Sequence, residues 1–412
     1  MTLSVAATPS GLRGLLIRSL GPVATIAVAQ LFGTSLWFSA NSTAEELMHA
    51  WNATSTDIGW LTNAVQLGFI LGTLSLSLSG AADRFRASTL FVCSAIAGAL
   101  FNLGFAWLAE GLLSGGMLRF CVGITLAGIY PMGMKLIVGW APERTGLALA
   151  QLVAMLTLGT ALPHALRMVG ADWPWQAIIT ASSVLALAGA VLIGALGEGP
   201  HARAGSAPGA VRTRRAGAIL GAFRISRFRA ATLGYFGHMW ELYAFWTLVP
   251  LIVSRTALAS SFPALGVAGL SFCIMALGAV GSILGGMLSQ RTGSAKVALG
   301  ALSLSGACGL LFVLSAHQLP MWALLALLGV WGASVVADSP QFSALAAQAC
   351  PRDAVGSALA IQNSIGFAIT VVSIAATTWL FERIGIDALW LLVPGPVLGV
   401  SGFILSSRQA DA

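Results

Sequence analysis

SGAADRFRAS, residues 79 to 88, is a polar turn between two long apolar runs, and a second polar turn, GGMLSQRTGSAK at 285 to 296, lies between two more. Outward from either turn the chain is overwhelmingly apolar, being 57% hydrophobic and 8% charged over 412 residues. An average soluble domain is roughly 25% charged. Runs of about 20 apolar residues, the length that crosses about 30 Å of hydrocarbon, recur between residues 20 and 405. The chain therefore reads as an all-α integral membrane protein.

The apolar runs predict twelve transmembrane helices at 20–41, 58–80, 89–109, 112–140, 146–168, 175–196, 231–252, 265–289, 297–315, 321–347, 357–379 and 389–405. The two polar turns then occupy equivalent places, between helices 2 and 3 and between helices 8 and 9. APERTGLALA (141–150) and CPRDAVGSALA (350–360) form a second equivalent pair, with Pro131 and Pro340 just ahead of them. The expected organisation is a six-helix bundle over 1–196, a basic cytoplasmic linker over 197–230 and a second six-helix bundle over 231–412. Repeated halves of this kind place a binding site near the midplane where they meet.

Twelve is even, so both termini share a side. If that side is the cytoplasm, 17 of the 21 Lys and Arg residues fall inside and only Arg167, Arg255 and Arg383 outside, with Arg119 within a helix. The positive-inside rule then puts both termini in the cytoplasm, and the Ala-rich, Lys-poor composition points to a bacterial inner membrane. The net charge of +7 sits in loops, where it suits anionic lipid headgroups. It does not form the basic soluble face with aromatic platforms that nucleic acid requires. The five cysteines are scattered, without C-x-x-C or clustered histidine, so no metal site is expected. Neither a P-loop nor an H-E-x-x-H or G-x-S-x-G motif is present, which argues against an ATPase or an intramembrane enzyme. No cofactor is implied, and a monomer is expected.

The 79–88 turn resembles the G-x-L-A-D-R-x-G-R-R loop of the major facilitator superfamily, with Asp83 and Arg84 matching its acid and base. Ser79 and Arg86 stand where that family prefers glycine. The second copy keeps Gly286, Leu288, Arg291 and Gly293, while Gln290 replaces the acid. Arg119 followed by Gly123 matches a further family element on helix 4. The resemblance covers essentially the whole chain and implies two pseudo-repeated bundles that alternate access. It also implies that Asp83, Arg84, Gly286, Arg291 and Gly293 hold one conformation closed. Helix 5 reads GTALPHAL, without the paired glycines of the drug-antiporter pattern, and the helix 2 and helix 8 arginines of nitrate porters are missing. A drug/proton antiporter and a nitrate/nitrite-type porter remain alternatives. A non-transporting receptor or scaffold on the same fold is the alternative of a different class.

Several charged residues lie within the predicted helices, each costing roughly 2.5 to 3.5 kcal/mol at a helix centre on insertion scales. Glu241 falls near the middle of helix 7. His238, three residues earlier, shares its face, and the two are expected to form a proton-responsive pair with Glu241 as carrier. Asp338 precedes Pro340 on helix 10, with Gln341 one turn on. Arg119 and Tyr130 fall almost in line along helix 4, and Asn63 and Gln66 offer amides on helix 2. In the superfamily, helices 1, 4, 7 and 10 line the cavity. Arg119, His238, Glu241, Asp338, Tyr130, Gln341, Asn63 and Gln66 are thus the candidates for a solute and proton pathway. The reading is a proton-coupled secondary symporter of a small organic solute, and the cationic Arg119 suggests an anionic or zwitterionic one.

Overall fold

The computed structural model describes residues 11–202, 221–350 and 355–411. Every regular element among them is helical. Nine segments are long and apolar enough to cross a membrane, and the bent pair Arg13–Ser19 and Pro22–Thr34 makes a tenth. The helix Ser226–Arg255 joins them structurally, although Arg227, Arg229, His238, Glu241 and Arg255 lower its hydropathy. The segment Ala358–Gln409 is divided by the 3-10 turn Gly385–Leu392. Unbroken, that segment would be roughly 80 Å long, far more than one bilayer needs. Twelve spans result among the described residues, as the sequence predicts.

Most ends follow from local chemistry. Span 2 (Ser55–Leu78) opens with a capping box in which the Thr54 hydroxyl and the Asp57 carboxylate satisfy each other's free backbone N–H groups. Span 6 (Trp175–Leu196) follows Pro174 and stops at Gly197, whose φ of 71° suits glycine. Span 8 (Gly266–Thr292) and span 9 (Ser294–Ser315) are separated by Gly293 alone, at φ 90°. That reversal gives Gly293 a backbone reason to occupy the second polar turn.

Three spans depart from the predicted continuous helices. Span 1 runs from Pro22 to Thr34, then unwinds through turns to the short 3-10 segment Asn41–Thr43. Span 4 is broken between Leu112–Leu126 and Tyr130–Trp140, and span 10 between Met321–Ala337 and Ser339–Ala349. Pro131 and Pro340 stand at the second position of the restarted helices, where the missing N–H is tolerated. Span 7 starts at Ser226, inside the predicted linker, because Phe228 is buried with Ala346, Cys350 and Ala358. Residues 203–220 of that linker lie outside the described residues.

Span 2 packs on span 4, span 6 on span 1 and span 3 (Ala87–Leu108), and span 5 (Thr145–Val169) on span 1. The second half repeats this with span 8 on span 10, span 12 (Pro394–Asp411) on spans 7 and 9, and span 11 (Val355–Ile384) on span 7. The 2–4 and 8–10 crossings bring backbones together at glycine. A Cβ on Gly123 would meet the Val65 carbonyl, and one on Gly332 the Ile274 carbonyl. The halves meet along spans 2 and 11 and along spans 5 and 8.

Candidate functional site

Span 7 is packed on nearly every side, with 22 of its 30 residues buried. Side chains leaving it at different angles therefore meet different neighbours. His238, 1% exposed, turns toward the break in span 10, where its Nδ1 lies 2.8 Å from Oδ1 of the fully buried Asp338. The contact sets an imidazole against a carboxylate in the interior of the second bundle. Asp338 sits at the hinge itself: its carbonyl accepts the N–H groups of Gln341 and Phe342, both at 3.0 Å, and so restarts the helix. Gln341 is buried one turn along. Tyr235 stands on the other side of His238, ring centres 5.9 Å apart.

Glu241 is directed elsewhere. Its Oε1 accepts the Trp331 indole N–H at 2.7 Å from span 10, and its Oε2 accepts the Ser305 hydroxyl at 2.8 Å from span 9. Phe245 stacks on the Trp331 ring at 4.4 Å. The expected His238–Glu241 pairing is thus replaced by two separate constellations, because 60° of rotation on a helix buried all round suffices to change neighbours. Ser305 and Trp331 carry no charge, and the sequence holds no signal for them.

Arg119 is fully buried inside the first bundle and is directed to span 1 rather than to a cavity. Its guanidinium donates to the carbonyls of Leu36, at 3.0 Å, and Trp37, and to Ser39 Oγ and Asn102 Oδ1, each at 3.0 Å. Leu36 and Trp37 belong to the unwound end of span 1, whose carbonyls have lost their helical partners. The fork of Arg119 replaces those partners and sets a positive charge at a helix C-terminus. The expected alignment with Tyr130 is lost, since span 4 is interrupted between them. Asn102, an amide in an apolar run, is the sequence signal that belongs to this arrangement.

Asn63 is bonded across the halves, its Nδ2 donating to the Val371 carbonyl at 3.0 Å, while Gln66, fully buried, has no partner for either amide atom. In the polar turns, Lys135 donates to the Ala82 carbonyl and ties span 4 to the 79–88 loop. Arg84 is exposed, 5.8 Å from the Phe85 ring, and Arg291 is exposed at the end of span 8. Gly286 faces Ala150 of span 5 across the halves. The Asp83 side chain lies outside the described residues.

Between the halves stands a cluster of rings. Trp37 of span 1 lies 4.9 Å from Phe69, 5.7 Å from Tyr243 and 5.9 Å from Phe367, and Phe38 meets Tyr243 and Trp246. Beyond it, toward the face opposite the termini, Gly59 presses on Thr378 and the Thr56 hydroxyl bonds Glu382. Spans 2 and 11 are therefore joined from the centre to that far face.

Two pseudo-repeated six-helix bundles meeting at a midplane of rings, amides and one acid–imidazole pair have the architecture of a secondary transporter. The pattern of the Major Facilitator Superfamily matches residues 26–373, and the chain belongs to that superfamily. It is thereby a transporter that works by alternating access, and not an enzyme. Among similar solved structures is a mutant of the nucleoside transporter NupG, 11% identical, covering 94% of this chain and 99% of that one with a TM-score of 0.73. The proton:xylose symporter XylE bound to 6-bromo-6-deoxy-D-glucose is 15% identical, covering 94% and 96% with a TM-score of 0.69. A bacterial homologue of the human lysosomal transporter Spinster is 13% identical, covering 94% and 95% with a TM-score of 0.65. Comparison with curated proteins gives no match.

Proposed function

We propose that this transporter is a proton-coupled symporter in which Asp338 and His238, rather than Glu241, form the proton-responsive element. The observation that carries the reading is the 2.8 Å contact between two titratable groups that are both buried in the interior. A buried ion pair costs several kcal/mol of desolvation per ion, and a single contact recovers that cost incompletely. Protonating the carboxylate removes its charge from the interior and changes its attraction to the imidazole. Because Asp338 occupies the break in span 10, this change acts where the helix bends. The two titrations belong to the pair and not to either residue.

In this reading the halves 1–196 and 231–412 move about the 197–230 linker in an inner membrane, with both termini cytoplasmic, as the distribution of Lys and Arg supports. The protein works as a monomer in contact with lipid and carries a small organic solute. The expectation of an anionic or zwitterionic solute rested on Arg119, whose two terminal nitrogens are engaged by oxygens of spans 1 and 3. That support is therefore withdrawn.

The test needs no knowledge of the solute. Cysteines replacing Thr56 and Glu382 in a background lacking the five native cysteines report closure of the far face by disulfide formation. Cross-linking in the otherwise unaltered background, expressed relative to a cysteine pair within one bundle at the same pH so that the pH dependence of the thiolate cancels, is expected to change with pH and to become insensitive to it with Asp338→Asn. A wild-type pH response in Asp338→Asn removes Asp338 from the mechanism.

A further inference from the structure

The ring cluster between the halves has a chemical character that narrows the solute. Trp37, Phe69, Tyr243 and Phe367 come from spans 1, 2, 7 and 11, so both halves contribute, and their centres lie 4.5 to 5.9 Å apart. Trp37 is stacked at 29° on Tyr243 and at 23° on Phe367, while those two rings are tilted by 50° to each other. Gln66 lies three residues from Asn63 and three from Phe69, on the stripe of span 2 that faces span 11. Its carbonyl and its amide nitrogen are both buried without a hydrogen bond, as is Trp37 Nε1. A buried amide with neither function satisfied is costly in a closed interior.

We propose that the solute is an uncharged, planar heteroaromatic molecule with a hydrogen-bond donor and an acceptor side by side on its ring edge, stacked at Trp37 and Tyr243 and read by Gln66. The inference rests on the transport reading above and names the solute class. A primary amide offers one donor and one acceptor in the same plane. It therefore pairs in bidentate fashion with a ring edge that presents the complementary two, as glutamine does with adenine. Flat π-faces stack on aromatic side chains, whereas a polyol has no such face. The side chains of the cluster carry no charge, and the buried guanidinium nearest in kind, Arg119, is committed to span 1. An anion would find no counter-charge among these rings. Tyr235 links the two sites: its ring lies beside Gly366, the neighbour of Phe367, and on its other side beside His238. Filling the ring site thus bears directly on the residue that contacts Asp338.

The test measures the thermal stability of the purified full chain in detergent with adenine, uracil, benzoate or xylose, since a ligand of the folded state raises it. Adenine or uracil is expected to stabilise the protein, and benzoate and xylose are not. Gln66→Ala is expected to weaken the effective purine or pyrimidine by about tenfold or more. Gln66→Met keeps the bulk of the side chain without its hydrogen bonds and gives the same answer if the alanine variant does not fold. Stabilisation by neither adenine nor uracil overturns the proposal, as does equal stabilisation by benzoate or xylose. Unchanged binding in whichever of the two variants folds removes Gln66 from the site and overturns it as well. If the ligands fail while the 56–382 cross-link keeps its pH response, the solute class falls and proton coupling stands. Ligand stabilisation without that pH response leaves the solute class standing and removes proton coupling.

Discussion

The indole of Trp331 donates to the carboxylate of Glu241 at 2.7 Å, which fixes the acid between spans 7, 9 and 10 inside the second bundle. The Ser305 hydroxyl, 2.8 Å from the other carboxylate oxygen, also lies 3.1 Å from the Leu302 carbonyl. It can therefore turn to Leu302 and accept from a protonated acid or from an amide. Glu241→Gln keeps an acceptor for Trp331 and a donor for Ser305. We expect this variant to fold, to keep the pH response of the 56–382 cross-link and to shift the melting temperature by no more than a few degrees. Glu241→Leu leaves the Trp331 N–H buried and unpaired, at a cost of about 1 to 3 kcal/mol. Loss of the pH response in Glu241→Gln would return the carrier role to this residue.

His238 separates the roles within the proposed pair. His238→Gln retains hydrogen-bonding capacity beside Asp338 but cannot become cationic, so the cross-linking response should persist with reduced amplitude and a displaced midpoint. Asp338→Asn should show none. Measuring both variants as a function of pH separates a shared proton from an acid acting alone. Identical flat responses would make the imidazole indispensable and not merely modulatory.

How far the site is legible depends on what each residue's signal consists of. The twelve spans follow from apolar length, but the breaks near Pro131 and Pro340 do not follow from proline alone, since Pro163 and Pro250 stand inside unbroken helices. Asp338 and His238 stand out as costly polar residues in apolar runs. Pairing by sequence proximity is what fails. Helical spacing says that His238 and Glu241 share a face, but it says nothing about which neighbour lies over each part of that face. Arg119 is misplaced for a related reason: the unwinding of span 1 after Thr34, which exposes the carbonyls it serves, is not written in PVATIAVAQLFGTSLWF.

Arg119 is accordingly expected to matter for folding before transport. It serves two backbone carbonyls, a hydroxyl and an amide oxygen from two different spans. The point charge of lysine cannot reproduce that fork. Arg119→Lys should lose about 2 to 4 kcal/mol, because buried acceptors are left unpaired, and Arg119→Met should lose more. The check is thermal unfolding in detergent beside the yield of monodisperse protein. A well-folded Arg119→Met variant that fails only in solute uptake would place the guanidinium in the pathway after all.

The last expectation concerns the crossings that hold each bundle together. Gly123 and Gly332 occupy corresponding positions in spans 4 and 10, eight residues before Pro131 and Pro340 respectively. At Gly123 an added Cβ meets the backbone carbonyl of Val65, and at Gly332 that of Ile274. Backbone cannot swing aside as a side-chain tip can, so even alanine must push the helices apart along their length. Membrane helices gain much of their association from close packing rather than from a hydrophobic drive, and overpacking typically costs about 1 to 3 kcal/mol. Gly123→Ala and Gly332→Ala should therefore each lower the melting temperature and the folded yield, while Gly300→Ala, with nothing within 4 Å of its added Cβ, should be neutral or slightly stabilising by helix propensity. If the two crossings are true structural equivalents, the losses should be similar in size. A tolerated Gly123→Ala beside a damaging Gly332→Ala would mean that the first bundle relaxes where the second does not, and that the repeat is preserved in topology but not in packing.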